Sequence, residues 1–130
     1  MKPTITQALK GALISGVIAL VVNQTWNFIA THFLNIAAPA GPWAIMICVS
    51  SVVPLLIAGL LYFALEKYTN NGATIFTVVA VVLTVLSIYQ SFQPVMPDGT
   101  ATPEHFALLS VPMHFVAGLL AAFGIPRFSK

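Results

Sequence analysis

The stretch Asn35-Ile36-Ala37-Ala38-Pro39-Ala40-Gly41-Pro42 decides how the chain is divided. It lies inside a run from Lys10 to Glu66 that contains no Asp, Glu, Lys or Arg between its ends. Proline has no amide to donate and its ring clashes with the carbonyl four residues back, so Pro39, Gly41 and Pro42 together end a helix and open a turn. A helix rises about 1.5 Å per residue, and about 20 apolar residues cross ~30 Å of hydrocarbon. The run therefore holds two apolar crossings joined at this turn. Two further uncharged gaps, Lys67 to Asp98 and Glu104 to Arg127, are each long enough for one more. The expected spans are about 9–31, 43–65, 73–92 and 105–124, within a single transmembrane domain over 1–130.

Composition agrees with this division. Of 130 residues 58% are hydrophobic and 6% charged, with a mean hydropathy of +0.95. A soluble domain carries roughly a quarter charged residues, and a disordered chain needs low hydrophobicity and high charge. Five scattered cations give no basic stripe for phosphates, which excludes nucleic acid as a partner. The fold class implied is an all-α membrane protein, an antiparallel bundle of four transmembrane helices with the lipid bilayer as solvent. A cleaved signal peptide is the competing reading of the N-terminus, with Ala38-Pro39-Ala40 as a small-residue site. A signal's apolar core is about 7 to 15 residues, and the stretch here runs well past that length.

Short cytoplasmic loops are enriched in Lys and Arg. Lys2 and Lys10 precede or open the first span, Lys67 lies between the second and third, and Arg127 and Lys130 follow the fourth. This predicts that both termini and the Glu66 to Gly72 turn are cytoplasmic, with Asn35 to Pro42 and Pro94 to Pro103 outside. The single Cys48 excludes an internal disulfide and a Cys-x-x-Cys redox pair.

The second and fourth spans align, Ser51-Val52-Val53-Pro54-Leu55-Leu56-Ile57-Ala58-Gly59-Leu60-Leu61 on Ser110-Val111-Pro112-Met113-His114-Phe115-Val116-Ala117-Gly118-Leu119-Leu120. The first and third align through Gly11 on Gly72 and Val17 on Val78. Read as ancestry, the alignment describes a duplicated helical hairpin whose copies share one orientation.

Lipid does not drive helices together hydrophobically, so contact faces are marked by small and polar residues. Ala107, Ser110, His114, Ala117, Ala121 and Gly124 form such a seam on the fourth span, and Thr77, Ala80, Thr84, Ser87 and Ser91 on the third. The first offers Ala12, Gly16, Asn23, Asn27 and Ala30, and the second Ala44, Cys48, Ser51 and Ala58. At helical rise Ser51 and Ser110 lie about 10 Å below the outer boundary and His114 about 15 Å below it. The polar groups thus form one layer in the outer half. Asn23, Asn27, Ser51, Thr84, Ser87, Gln90, Ser110 and His114 are the candidate ligand-binding residues. The plain alternative is that these Asn, Ser and Thr side chains hold the bundle in register. His114 stands apart because an ionisable group near mid-membrane is a functional candidate by default. It is expected to face inward, neutral, bonded to at least one of Asn23, Ser51, Thr84 or Ser87.

Pro54 and Pro112 are expected to kink their helices. Trp26, Trp43, Tyr89 and Phe106 are read as an aromatic belt at the outer surface. His32 and His105 make too poor a ligand set for a metal or haem, and no cofactor is implied. No carboxylate lies within a span, which removes the proton-coupled exporter that needs one, and no catalytic set or phosphate loop is present. Three functions remain. One is a pocket that binds or moves a small molecule or lipid; the second is a structural subunit packing on other helices or on a second copy; the third is a His-dependent membrane enzyme. A ligand-sized cavity above His114 favours the first, and tight packing of every polar seam the second.

Across nearly its whole length the chain resembles an uncharacterised family of small bacterial four-helix integral membrane proteins. Asn23, the Ser51 to Pro54 stretch, Ser87 and Met113-His114 carry the resemblance. It implies a bacterial inner-membrane location and no activity.

Overall fold

A capping box starts the first helix a turn before the apolar run: the Thr4 hydroxyl accepts from the Gln7 amide at 3.2 Å, and the Thr4 amide donates to Gln7 Oε1 at 2.8 Å. In the computed structural model, which describes residues 1–130, helix α1 therefore runs Ile5–His32. Helix α2 spans Trp43–Tyr68 and α3 Gly72–Ile88, the latter prolonged by a 3-10 turn at Tyr89–Phe92. Helix α4 spans Phe106–Leu119, passes through a π-helical turn at Leu120–Gly124 and ends in the short α5, Ile125–Phe128. Four helical stretches are long and apolar enough to cross a membrane: Ile5–His32, Trp43–Tyr68, Gly72–Phe92 and Phe106–Phe128.

The expected boundaries shift for identifiable reasons. Charges do not mark the helix ends, because α1 includes Lys10 and α2 continues through Glu66 and Lys67. The Lys67 ammonium lies over the rings of Phe63 and Tyr68, 5.5 and 5.2 Å from their centroids, so its stem covers apolar surface while its head reaches outward. His105 has a left-handed backbone, φ 61°, and so precedes the fourth helix instead of opening it. At the other end the helix outlasts Gly124. Pro126 has no amide to return to the Ala122 carbonyl four residues back, and the Thr77 hydroxyl of α3 takes that carbonyl at 3.2 Å.

The helices form a ring in which α1 packs on α2 and α4, and α3 packs on the same two. Small residues line the contacts. On α1 the buried positions include Ala8, Gly11, Ala12, Gly16 and Ala19, whereas Leu13, Val17, Val21 and Phe28 are exposed. That inversion of the soluble pattern is what a lipid solvent allows. A Cβ on Gly59 would lie 2.5 Å from Ala12 Cβ and 3.1 Å from the Ala8 carbonyl oxygen, so only glycine lets α2 approach α1 this closely. Two apolar clusters lie toward opposite ends of the bundle, one around Ile47, Phe106, Leu109 and Met113, the other around Ala12, Tyr62, Phe76 and Ile125.

The hairpins α1–α2 and α3–α4 occupy opposite places in the ring, as in any sequential antiparallel bundle of four helices. Side-chain pairing is less regular. Ser51 accepts from Asn23 at 3.1 Å and Ser110 from Ser91 at 2.9 Å, yet the aligned counterpart of Asn23 is Thr84, two turns from Ser91.

The α3–α4 connection is a small hairpin in which Val95 bridges Ala101 and the Met96 amide donates to the Thr100 carbonyl at 2.8 Å. Gly99 supplies the turn's positive φ of 87°. The Asp98 carboxylate accepts from the Thr100 hydroxyl at 2.7 Å and from its amide at 3.0 Å. Those two bonds, the hydroxyl's foremost, hold its pKa below the ordinary carboxylate value.

Candidate ligand-binding site

The cations collect at one end of the bundle. The Lys2 ammonium donates to the carbonyls of Lys67 and Thr69 at 3.4 and 3.1 Å, at the C-terminal end of α2, and Lys2 and Lys130 border one crevice. Toward the opposite end lies a cavity of about 290 Å³. Asn23 of α1, Ser50 of α2 and His114 and Ala117 of α4 lie at its deep side. Trp43, Met46, Ile47, Phe106, Ser110 and Met113 line it further out, and Gln90, Ser91, Met96 and Pro97 border it from the 3-10 turn and the hairpin.

Asn23 is 3% exposed. Its Nδ2 donates to Ser51 Oγ at 3.1 Å, while Oδ1 has no partner. Exchanging the amide oxygen and nitrogen changes only which of the two is left unpaired. His114 is held through Nδ1, 3.0 Å from Ser87 Oγ, and the Ser87 hydroxyl lies 2.7 Å from the Thr84 carbonyl oxygen. A hydroxyl has one proton. With that proton given to Thr84, the imidazole donates from Nδ1 to Ser87, and Nε2 is left as an acceptor without a protein partner. Ser91 donates to Ser110 at 2.9 Å, so the Ser110 proton is free to be donated in turn.

The candidates thus separate. Asn23, Gln90, Ser110 and His114 border the cavity; Ser51 is the partner of Asn23, and Ser87 is the partner of His114. Asn27 does not border it, because its Oδ1 accepts the Trp43 indole N–H at 2.9 Å. Thr84 is turned back on its own helix, donating to the Ala80 carbonyl at 2.7 Å. Of the four aromatics read as a belt, Tyr89 is exposed and the other three are engaged within the bundle. Trp26 donates to the Leu109 carbonyl at 3.0 Å, in the turn that Pro112 loosens, and Trp43 packs edge-on against the buried Phe106 at 5.8 Å. His32 stacks on Phe28 at 4.3 Å, and His105 lies 3.5 Å from Glu104. Sequence reasoning missed Trp43, Phe106, Ser50, Ser91 and three methionines, Met46, Met96 and Met113. The polar tips of Trp43 and Ser91 were legible signals; the methionines offered none beyond their scarcity.

No Asp, Glu, Lys or Arg borders the cavity. Its free hydrogen-bonding capacity is that of neutral groups, the Asn23 and Gln90 amides, His114 Nε2 and the Ser110 hydroxyl, set among aromatic rings and thioethers. A Ser–His pair exists at 3.0 Å, but the serine proton is already engaged and no carboxylate orients the imidazole.

No curated protein and no solved structure matches the chain. The profile of one protein family, described only as a family of unknown function, extends over residues 2–130, and the chain belongs to that family, DUF6069.

Proposed function

We propose that this multi-pass membrane protein binds, and in binding passes or presents, a small neutral molecule or lipid in the cavity bordered by Asn23, Ser110 and His114. The reading places the chain in a bacterial inner membrane with both termini cytoplasmic, so that the cavity faces outward. The observation that carries it is Asn23 Oδ1, buried without a partner beside empty space. An unsatisfied buried polar group costs about 1–3 kcal/mol. A ligand hydroxyl, able to donate or accept at that amide, removes the penalty. The small-residue seams are already used inside the chain, Gly59 against Ala12 and Gly118 against Thr84, which weakens the reading as a subunit that packs on foreign helices.

Native mass spectrometry of the protein released from its membrane tests this. The wild type should carry a molecule that is not bulk lipid, and Met46→Trp, which fills the cavity, should lower its occupancy at least tenfold while the helical content is unchanged. A wild-type protein with no retained molecule, or equal occupancy in both, overturns the reading.

A further inference from the structure

A second cavity, of about 330 Å³, lies among α2, α3 and α4. It shares Ser50, His114 and Ala117 with the first and continues from their level toward the basic end, past Ala58, Leu83 and Phe76 to Ala121. From His114 to Ala121 the helix advances about 10 Å. The three hydroxyls that border this space are all turned back on their own helices: Ser50 to the Ile47 carbonyl at 3.3 Å, Thr84 to Ala80 at 2.7 Å and Ser87 to Thr84 at 2.7 Å. Apart from the shared His114, the second cavity therefore offers a ligand hydrocarbon and hydroxyls already engaged, whereas the first adds the unpaired Asn23 amide and the free Ser110 proton. Neither is bordered by a charged side chain.

We infer that the two cavities form one site for a neutral single-chain amphiphile with a hydroxyl head, an alcohol or phenol bearing one hydrocarbon tail. The inference rests on the outer cavity being a ligand site. The head sits in the outer cavity, where a hydroxyl can donate to Asn23 Oδ1 or His114 Nε2 and accept the Ser110 proton. The tail passes Ala117 into the second cavity and removes apolar surface from contact with the polar head region. A carboxylate or a quaternary ammonium head would be desolvated at this depth with no counter-charge, which the site disfavours.

Two photoreactive dodecanols test the arrangement, one with a diazirine beside the hydroxyl and one with it near the far end of the chain, in nanodiscs of phosphatidylcholine. The near probe should label Met46 or Met113, and the far probe Phe76, Leu83 or Ala121. Excess dodecan-1-ol should suppress both at least tenfold; dodecanoate and dodecyltrimethylammonium at the same concentration should suppress them less than twofold. Ala58→Phe, in the second cavity alone and checked for unchanged helical content, should lower the far label tenfold and spare the near one. A competed near label with the far label on exposed Ile57 or Leu86 overturns the tail assignment and leaves the outer site standing. Inner labelling that dodecanol does not compete means bulk lipid fills the space, and it overturns the inference likewise. Equal competition by the charged amphiphiles overturns the neutral head. No competed label at Met46 or Met113 overturns the outer site as well.

Discussion

Asn23 makes one side-chain hydrogen bond, to Ser51, and leaves its second polar atom unpaired at 3% exposure. The two effects oppose each other. A membrane-interior hydrogen bond is worth about 0.6 kcal/mol on average, whereas the unpaired atom costs about 1–3 kcal/mol. Asn23→Leu is close in shape and removes both, and Ser51 can turn its hydroxyl to the Cys48 carbonyl one turn back on its own helix. The ligand-free variant should therefore unfold at a higher temperature in detergent, by about 1 kcal/mol of added stability, while it loses the ligand. A destabilisation larger than about 1 kcal/mol would show that the amide serves packing alone. At this scale the sequence told which polar residues lie deep, because depth follows from helical rise. It did not tell which of them are satisfied. Thr84, Ser87 and Asn27 have the same seam spacing as Ser110 and His114, and only the rotamers separate a hydroxyl returned to its own helix from one left free.

Among the elements, the end of the fourth span departs most from what spacing implied. Gly124 reads as a helix stop, yet the π-turn at Leu120–Gly124 lets the chain continue through Ile125-Pro126, with Thr77 on α3 supplying the donor that Pro126 lacks. No pattern within one helix encodes a bond supplied by another. Thr77→Val should cost about 0.6–1.7 kcal/mol, and the same change in a Pro126→Ala background should cost less, because alanine restores an amide able to reach Ala122. A double-mutant cycle on thermal unfolding with no coupling between the two sites would refute the pairing. The 93–102 hairpin carries a pH dependence of definite sign. Asp98 has a lower pKa folded than unfolded, so its contribution to the turn is complete above the unfolded carboxylate value and is lost as the pH falls through the folded one. Hydrogen exchange at the Thr100 amide, which donates to Asp98, should speed up over that acidic window beyond its intrinsic pH trend. In Asp98→Asn that excess should vanish.

For the whole molecule, the four crossings were legible because each uncharged gap matches a membrane thickness and one gap is broken by Pro39, Gly41 and Pro42. The ring order was not, since apolar faces toward lipid and small faces toward neighbours fix which side of a helix is inward without saying which neighbour it meets. Charge supplies the remaining vector. Lys2 reaches the α2–α3 turn, Lys130 shares a crevice with Lys2, and Arg127 lies in α5 beside them, whereas Asp98 and Glu104 belong to the α3–α4 connection at the other end. Each crossing by a Lys or Arg is opposed during insertion, so the basic end should stay cytoplasmic. In a Cys48→Ala background, Asn71→Cys and Asp98→Cys place single thiols at opposite ends. A membrane-impermeant maleimide added to intact cells should modify the Asp98→Cys protein and leave the Asn71→Cys protein unmodified until the membrane is opened. The reverse pattern would turn the molecule over and make the cavity at Asn23 and His114 open to the cytoplasm; the pocket's chemistry would stand, and its ligand would have to be one delivered from inside the cell.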